Sequence, residues 1–430
     1  MNAPLRIAIA GLGTVGAGTL AALAQNRELL ARRCGRTLDV VAVSARKRTK
    51  DRGTPLGLAQ WFDDPVAMAR DAAADVVVEL IGGSDGVAKA VIEAAIARGR
   101  HVVTANKALL AIHGAELALK AETAGVALQY EAAIAGGIPI VKALREGLAG
   151  NRVERISGIL NGTCNYILTD MREHGREFAA ALADAQRLGY AEADPATDVD
   201  GIDAAHKLAL LASLAFGARV DFGGVYQEGI RRVTRLDIEF ADALGYRIKL
   251  VGSARLTEHG LEQRVHPCMV TRDNPLAHVE GVVNAVVAEG DFAGTTEYEG
   301  RGAGAGPTAS AVVADLVDIA LGRRSFTFGV PASELKAQPR APIERHRGAY
   351  YLRLMVADRP GVIADVAAAL RDQDVSMESM LQRGRSAQST VPVVITTHVT
   401  EEAAMSKALA AIARLDSMGE PPRTIRIEPV

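Results

Sequence analysis

The stretch EADPATDVDGIDAAHK, Glu192 to Lys207, sets five acids ahead of one lysine with hardly an apolar side chain between them. Asp203 and Lys207 stand four residues apart at the start of GIDAAHKLALLASLAF, which reads as a helix, so the two share one face. Glu192, Asp194 and Asp198 precede them in a proline-containing loop able to fold back over that helix start. On composition the stretch is a solvated loop, because charges stay in water unless something holds them out of it. A lysine seated among carboxylates is also what proton transfer uses, an acid or base whose ionisation its neighbours set. The elements that position these groups decide between the two.

The 430 residues suffice for two or three domains with substantial cores. Lys and Arg number 49 against 51 Asp and Glu, a formal charge of −2, so no overall basic field points to nucleic acid or a membrane surface. Hydrophobic residues make up 49% but aromatics only 4%, so the cores must be built of Ala, Val, Leu and Ile. No apolar run approaches the roughly 20 residues of a membrane span. MNAPLRIAIAGLG enters a strand pattern at once, without the h-region of a signal peptide. Cys34, Cys164 and Cys268 form neither a metal spacing nor a disulfide framework. These features predict a cytoplasmic enzyme or regulator with no nucleic-acid or membrane partner.

LRIAIAGLGTVGAGTLAAL is an apolar strand, a glycine turn and a helix that starts at once. Gly11, Gly13 and Gly16 fit G-x-G-x-x-G: a tight turn, close backbone approach to a pyrophosphate, and close helix–strand packing. The phosphates would sit on the helix N-terminus, where free N–H groups and the dipole favour an anion. After the second strand, LDVVAVSARK, an NAD site usually has an acid for the ribose 2′-OH. Here Ser44, Arg46, Lys47 and Arg48 occupy the position instead, which favours a 2′-phosphate and hence NADP, unless the loop is merely basic surface. Alternating strands and helices through DVVVELIGG, HVVTANK and VALQYEAAIAGG predict a doubly wound parallel sheet, with Thr104 and Lys107 at a strand's carboxyl end where ligands collect.

Beyond EAAIAGGIPIVKAL, strands such as RIKLVGSARL and GLEQRVHPCMV alternate like half-buried antiparallel sheet. GRGAGAGPTASAVVADLVDIAL is a glycine-rich turn running into a long amphipathic helix. LKAQPRAPIERHRG has no periodic apolar face and reads as a linker. The remainder reads βαββαβ, a ferredoxin-like unit. The expected spans are 1–130 for a Rossmann domain completed by a helix at about 307–335, 131–306 for a catalytic and dimerisation domain, 336–348 for the linker and 349–430 for the last unit.

Taken together, GLGTVG, VVTANK, YEAAIAGGIPI, LNGTCNYIL, GYAEADPATDVDGIDAAHKLA and RGAGAGPTASAVVADL make the chain resemble homoserine dehydrogenases along essentially its whole length, with a C-terminal ACT domain. The acid-rich stretch is the most specific of these. One departure is Cys164, where the family usually has a second threonine after Asn-Gly-Thr. The resemblance implies NAD(P)H-dependent interconversion of L-aspartate 4-semialdehyde and L-homoserine, in threonine, methionine and isoleucine biosynthesis. Hydride transfer to an aldehyde leaves an alkoxide that needs a proton donor or cation beside it. By resemblance Lys207 is that general acid/base and Asp203 orients it and meets the substrate. Glu192 matches the carboxylate for the substrate's ammonium, Asp198 a supporting carboxylate, and Lys107 a lysine between nicotinamide and substrate.

Thr14, Val15, Thr104, Gly189, Gly304 and Gly306 join the glycine turn, Arg46, Lys47 and Lys107 on the coenzyme side by the same comparison. YEAAIAGGIPI corresponds to a sodium site, with the Glu131 carboxylate and the carbonyls of Ile134, Gly136 and Ile138 as oxygen donors, although read alone it is a Gly-Gly bend after a strand. The turn Asp358-Arg359-Pro360-Gly361 resembles the ligand-binding turn of ACT domains and implies L-threonine as effector, against a reading as a dimerisation module without ligand. A homodimer or homotetramer is expected. With no aspartokinase module ahead of the first strand, the chain reads as monofunctional, and cutting after about Ala341 is expected to leave an active, threonine-insensitive enzyme. Two other readings remain: a different NAD(P)-dependent amino-acid or aldehyde oxidoreductase, or a catalytically silent metabolite sensor.

Overall fold

The computed structural model describes residues 3–53, 56–384 and 389–428, so the outermost residues of the expected first and last spans lie outside the described residues. Strands β1 (Leu5–Ala10), β2 (Leu38–Ser44), β3 (Gln60–Phe62), β4 (Val76–Glu79), β5 (His101–Thr104) and β6 (Leu128–Gln129) form an all-parallel sheet ordered β3-β2-β1-β4-β5-β6. Ile7, Ile9, Val76 and Val78 are wholly buried, as expected of strands with helices on both faces. The strand order reverses between β1 and β4, and a crevice opens there beyond the strands' carboxyl ends. The doubly wound parallel sheet is borne out.

The helix expected at about 307–335 runs Ala305–Ala320 and packs along the Thr14–Gln25 helix. It stops at Leu321 because Gly322 takes the left-handed conformation, φ +70°, that ends helices. Beyond it lie loop and one short turn, Ala332–Glu334, rather than further helix.

A second, mixed sheet takes its strands from the rest of the chain: β7 (Val153–Ile159), β8 (Tyr226–Gln227), β9 (Tyr246–Thr257), β10 (Gly260–Thr271), β11 (Val283–Gly290), β12 (Gly294–Arg301), β13 (Arg347–Ala357), β14 (Met377–Gln382), β15 (Thr390–Thr397), β16 (Thr400–Glu401) and β17 (Arg423–Ile427). Its path is β12-β11-β7-β9-β10-β17-β13-β15-β14, with β8 on β10 and β16 on β13. The C-terminal βαββαβ unit is present as expected, its helices Val362–Arg371 and Glu402–Ile412 packed on one face. It is not a separate body. β17 pairs in parallel with β10, Cys268 opposite Arg426 and Met269 opposite Ile427, so one sheet runs through both units.

Two expectations are corrected here. Residues 336–348 are not a free spacer: Arg219 N–H bonds the Lys336 carbonyl at 2.8 Å, Leu261 N–H bonds Pro339 at 2.8 Å, and Ala341 N–H returns to Leu261 at 3.1 Å. Removing the chain beyond Ala341 would strip β17 from β10 and leave that edge unpaired. Nor are β9 and β10 half-buried, for β10 is buried along nearly its whole length on both faces. Its alternating polar residues do share a face, but the face is dry: Glu262, Arg264 and His266 lie under Glu428 and His346. Arg264 Nη1 stands 2.6 Å from Glu428 Oε1 and 3.1 Å from His346 Nε2. His266, Cys268 and Glu428 approach within 4.8 Å of one another, yet the Arg264 guanidinium already occupies the Glu428 carboxylate. Among the described residues no helix is long and apolar enough to cross a membrane.

Candidate active site

The glycine turn after β1 has the geometry its motif demands. Gly11 sits at φ +101°, and a β-carbon there would lie 2.5 Å from the Leu80 carbonyl oxygen. A β-carbon on Gly16 would lie 2.1 Å from the Gly11 carbonyl oxygen, whereas around Gly13 the space is open. Thr14 and Val15 begin the helix, whose first N–H groups no side chain caps. A cleft of about 810 Å³ opens beside this turn, lined by Gly11, Gly13, Arg46, Lys47, Leu80 and Ile81 among others. Lys50 and Arg52 line it too, and the sequence reading missed both. Arg48 stands instead 5.9 Å from the Trp61 ring centre. A run of basic residues does not say which ones turn back into the cleft; the loop's course does.

Glu79, at the end of β4, accepts the N–H groups of Ile81 at 2.7 Å and Gly82 at 3.1 Å and the Thr104 hydroxyl at 2.6 Å. The Thr104 side chain is thus buried and turned away from the cleft. Asn106 caps the Lys107–Thr123 helix, accepting Leu109 N–H at 3.1 Å, and ties that helix start to the Gly83 carbonyl at 2.8 Å. These bonds fix the helix start from which Lys107 reaches the second domain.

There it meets the acid-rich stretch. Gly201, at φ +83°, starts the Ile202–Phe216 helix, which buries Asp203 and Lys207 one turn apart. Lys107 Nζ lies 2.9 Å from Asp203 Oδ1, and Lys207 Nζ lies 2.9 Å from Asp203 Oδ2. Lys207 also donates to the Leu160 carbonyl at 2.7 Å. Asn161 Nδ2 donates to Asp198 Oδ1 at 2.8 Å and Asp203 Oδ2 at 2.9 Å. Burial acts to raise the Asp203 carboxyl, but Lys207 and Lys107 overcome it and hold the group well below its usual range. Burial pushes the Lys207 ammonium down, Lys107 adds to this, and Asp203 opposes it. Lys107 is raised by Asp203 against its own burial. Asp198 is raised, chiefly by burial. Cys164, wholly buried, donates to the Asp198 carbonyl at 3.2 Å, and burial keeps it a thiol. Two lysines sharing one carboxylate, one of them depressed, can pass a proton and hold a developing negative charge.

Asp198, Asp203, Lys207 and Lys107 are thus brought together. Glu192 is not: its side chain is exposed in the loop ahead of Asp194. Asp194 accepts Ala196 N–H at 3.1 Å, and Asp200 pairs with Arg231, both loop roles. Gly189 closes the Phe178–Arg187 helix outside the cleft lining, while Gly304 and Gly306 lie exposed at the start of the Ala305–Ala320 helix. At the YEAAIAGGIPI bend, Glu131 is buried and accepts Val141 and Lys142 N–H groups at 2.8 and 2.9 Å. Ile134, Gly136 and Ile138 lie in the same bend, Gly136 at φ +44°. Asp315 bonds Glu131 N–H through Oδ2 at 2.9 Å, while its Oδ1 is buried without a hydrogen-bond partner among the described residues. Burial, then Glu131, pushes the Asp315 carboxyl up to about 8. The unpartnered Asp315 oxygen beside the buried Glu131 carboxylate is the kind of donor a hard cation takes.

In comparison with known proteins, residues 139–317 match the family model "Homoserine dehydrogenase", residues 11–131 its NAD binding domain, and residues 350–417 the ACT domain. A homoserine dehydrogenase of Pseudomonas aeruginosa is 48% identical over 434 residues, covering 99% of each chain. The crystal structure of a homoserine dehydrogenase from Thiobacillus denitrificans superposes with a TM-score of 0.93 at 46% identity, over 99% of this chain and 98% of that one. A hyperthermophilic archaeal homoserine dehydrogenase in complex with NADPH gives 0.65 at 26% identity, over 75% of this chain and 99% of that one.

Proposed function

The chain belongs to the homoserine dehydrogenase family of NAD(P)-dependent oxidoreductases acting on a CH–OH group, and we propose that Lys207, Asp203 and Lys107 carry its chemistry. The observation that carries this reading is the buried carboxylate of Asp203 held at 2.9 Å by both lysines. A bound nicotinamide supplies the hydride in reduction of L-aspartate 4-semialdehyde and accepts it in the reverse direction. Lys207 gives a proton from Nζ to the carbonyl oxygen as it becomes the homoserine hydroxyl, and takes it back in oxidation. Two of its three N–H donors are spent on Leu160 and Asp203, which aims the third. Lys107, nearer the cleft, holds the substrate on the coenzyme's side. Glu192 and Asp198 serve the substrate's ammonium, Glu192 by closing with its loop over bound substrate. NAD(P)H oxidation with the semialdehyde tests the set: wild-type turnover undiminished in both Lys107→Ala and Lys207→Ala would refute it.

The coenzyme is NADP, because Arg46 and Lys47 line the cleft where an acid would select NAD. Gly11, Gly13, Thr14, Val15 and Gly16 would hold the pyrophosphate, with Gly304 and Gly306 contributing around it. Changing Arg46 and Lys47 together to Gln should weaken NADPH by about tenfold or more, since charge-assisted bonds contribute about 1.5–3 kcal/mol each. NADH should hardly change, and equal losses for both coenzymes, measured by fluorescence titration, would mean that the basic pair only faces solvent.

Sodium is the cation suited to the bend, held by Glu131 and the carbonyls of Ile134, Gly136 and Ile138, where it would fix the segment joining the two domains. The working form is a homodimer or homotetramer, acting in threonine, methionine and isoleucine biosynthesis. L-Threonine is the effector, its carboxylate on the N–H groups just after Gly361 and its ammonium at Asp358. Gly361, at φ +93°, starts the Val362–Arg371 helix with no side-chain cap. Calorimetry on the full-length chain should show threonine binding together with loss of turnover, because an effector acts only through unequal affinity for two states. No heat at millimolar threonine would reduce the C-terminal unit to assembly.

A further inference from the structure

β7 ends at Ile159, and the next two residues lead into the Gly162–His174 helix. Both grip the catalytic cluster. Leu160 does so through its carbonyl, which accepts Lys207 Nζ at 2.7 Å. Asn161 does so through its side chain, which is 4% exposed. Its Oδ1 accepts Cys164 N–H at 2.8 Å as the helix cap, which settles the orientation of the amide: Nδ2 must face the other way. Nδ2 has two N–H donors and meets two carboxylates, Asp198 at 2.8 Å and Asp203 at 2.9 Å.

We infer that Asn161 is a positioning residue for proton transfer: one amide holds Asp198 and Asp203 side by side as carboxylates and, with the Leu160 carbonyl, sets Lys207 against Asp203. The inference rests on the proposed catalytic role of Lys207 and Asp203 and extends it to a residue outside the charged set. Side-chain chemistry explains the choice of an amide. Aspartate would keep the cap but replace two donors with a third negative charge. Serine would keep the cap and offer one short donor. Hydrogen bonds to ionised acceptors are shorter and stronger than neutral ones, so losing a donor pair shared by two buried carboxylates is costly. Asn161 also eases the ionisation of Asp198, which burial otherwise opposes.

Two variants test this, with Lys207→Ala alongside. Asn161→Ser and Asn161→Asp both retain a capping oxygen, so folded proteins are expected, with melting temperature lowered modestly in the first and further in the second, which buries a third carboxylate. Asn161→Ser should lose about tenfold to a hundredfold in kcat, less than the roughly hundredfold to thousandfold lost with a donor that touches the reacting oxygen, with coenzyme affinity unchanged. Its acid limb in the kcat/KM profile should move to higher pH, because carboxylates stripped of donors protonate sooner. Asn161→Asp should lose more and shift the limb further. A folded Asn161→Ser with wild-type kcat and pH profile would make Asn161 a helix cap and nothing else, and lost activity with an unmoved acid limb would overturn the ionisation role. Should Asn161→Ser not fold, Asn161→Asp decides by the same criteria, and should neither fold, the role is structural and the inference fails. Lys207→Ala retaining turnover would instead sink the underlying catalytic reading, whatever Asn161 does.

Discussion

Lys207→Ala is expected to lower kcat by about two to four orders of magnitude, the usual range for loss of a general acid/base, while coenzyme affinity stays within about twofold. The asymmetry arises from where the side chain lies. Lys207 is 6% exposed and held by Leu160 and Asp203, deep in the second domain, whereas the coenzyme cleft is built from β1, β2 and β4 and the loops after them. Its removal leaves Asp203 paired with Lys107, so the buried carboxylate keeps a partner and the fold should survive. The pH profile gives a second check. Burial holds the Lys207 ammonium below its ordinary value of 10.5, so reduction, which needs the protonated form, should decline at lower pH than a surface lysine would allow. Oxidation of homoserine, which needs the free base, should gain over the same interval. A loss in kcat of less than about tenfold would make Lys207 a structural partner of Asp203.

The second large effect concerns stability. Glu428→Ala should destabilise the chain by about 3–5 kcal/mol, because removing one partner of a buried pair leaves the other as an uncompensated buried charge. Arg264 would be that charge, 2% exposed beneath the junction of β10 and β17 and left with Glu262, at 3.2 Å, as its one carboxylate among the described residues. The double change Arg264→Met with Glu428→Leu should recover part of the loss, since a packed apolar pair avoids the desolvation penalty. Urea unfolding with a probe in each half of the second sheet would read both, and a Glu428→Ala loss below about 1 kcal/mol would show that water or Glu262 replaces the missing partner.

The same junction should be acid-labile. Burial acts to raise Glu428, yet its neighbours, Arg264 foremost, together outweigh it and hold the carboxyl down at about 2 in the folded chain. Its contribution is therefore full above the ordinary value of 4.5 and lost as pH falls toward 2. His266 is kept neutral by burial and by Arg426 and Arg264, well below its ordinary 6.5. Once unfolded it takes a proton below that value, so it too favours unfolding as pH falls. Stability should decline from about pH 6.5 downward, and a flat profile from about pH 8 to about pH 5 would contradict this.

The amino-acid sequence by itself determined whatever depends on near neighbours. The glycines of the first turn, the i,i+4 pairing of Asp203 with Lys207, and the βαββαβ order of the last unit arise from local period and turn chemistry, and each stands in the structure as read. The meeting of Lys107 with Asp203, the amide of Asn161 between two carboxylates, and the return of Lys50 and Arg52 to the cleft were decided by tertiary structure. Each joins segments or surfaces whose relation no local pattern records. The clearest case is β10, where Glu262, Arg264 and His266 recur at every second residue as they would on a wet face. Alternation reports that two faces differ, not what covers them. Here Glu428 and His346, from far along the chain, supply the cover, because a charged group such as Arg264 can leave water when a complementary charge replaces it.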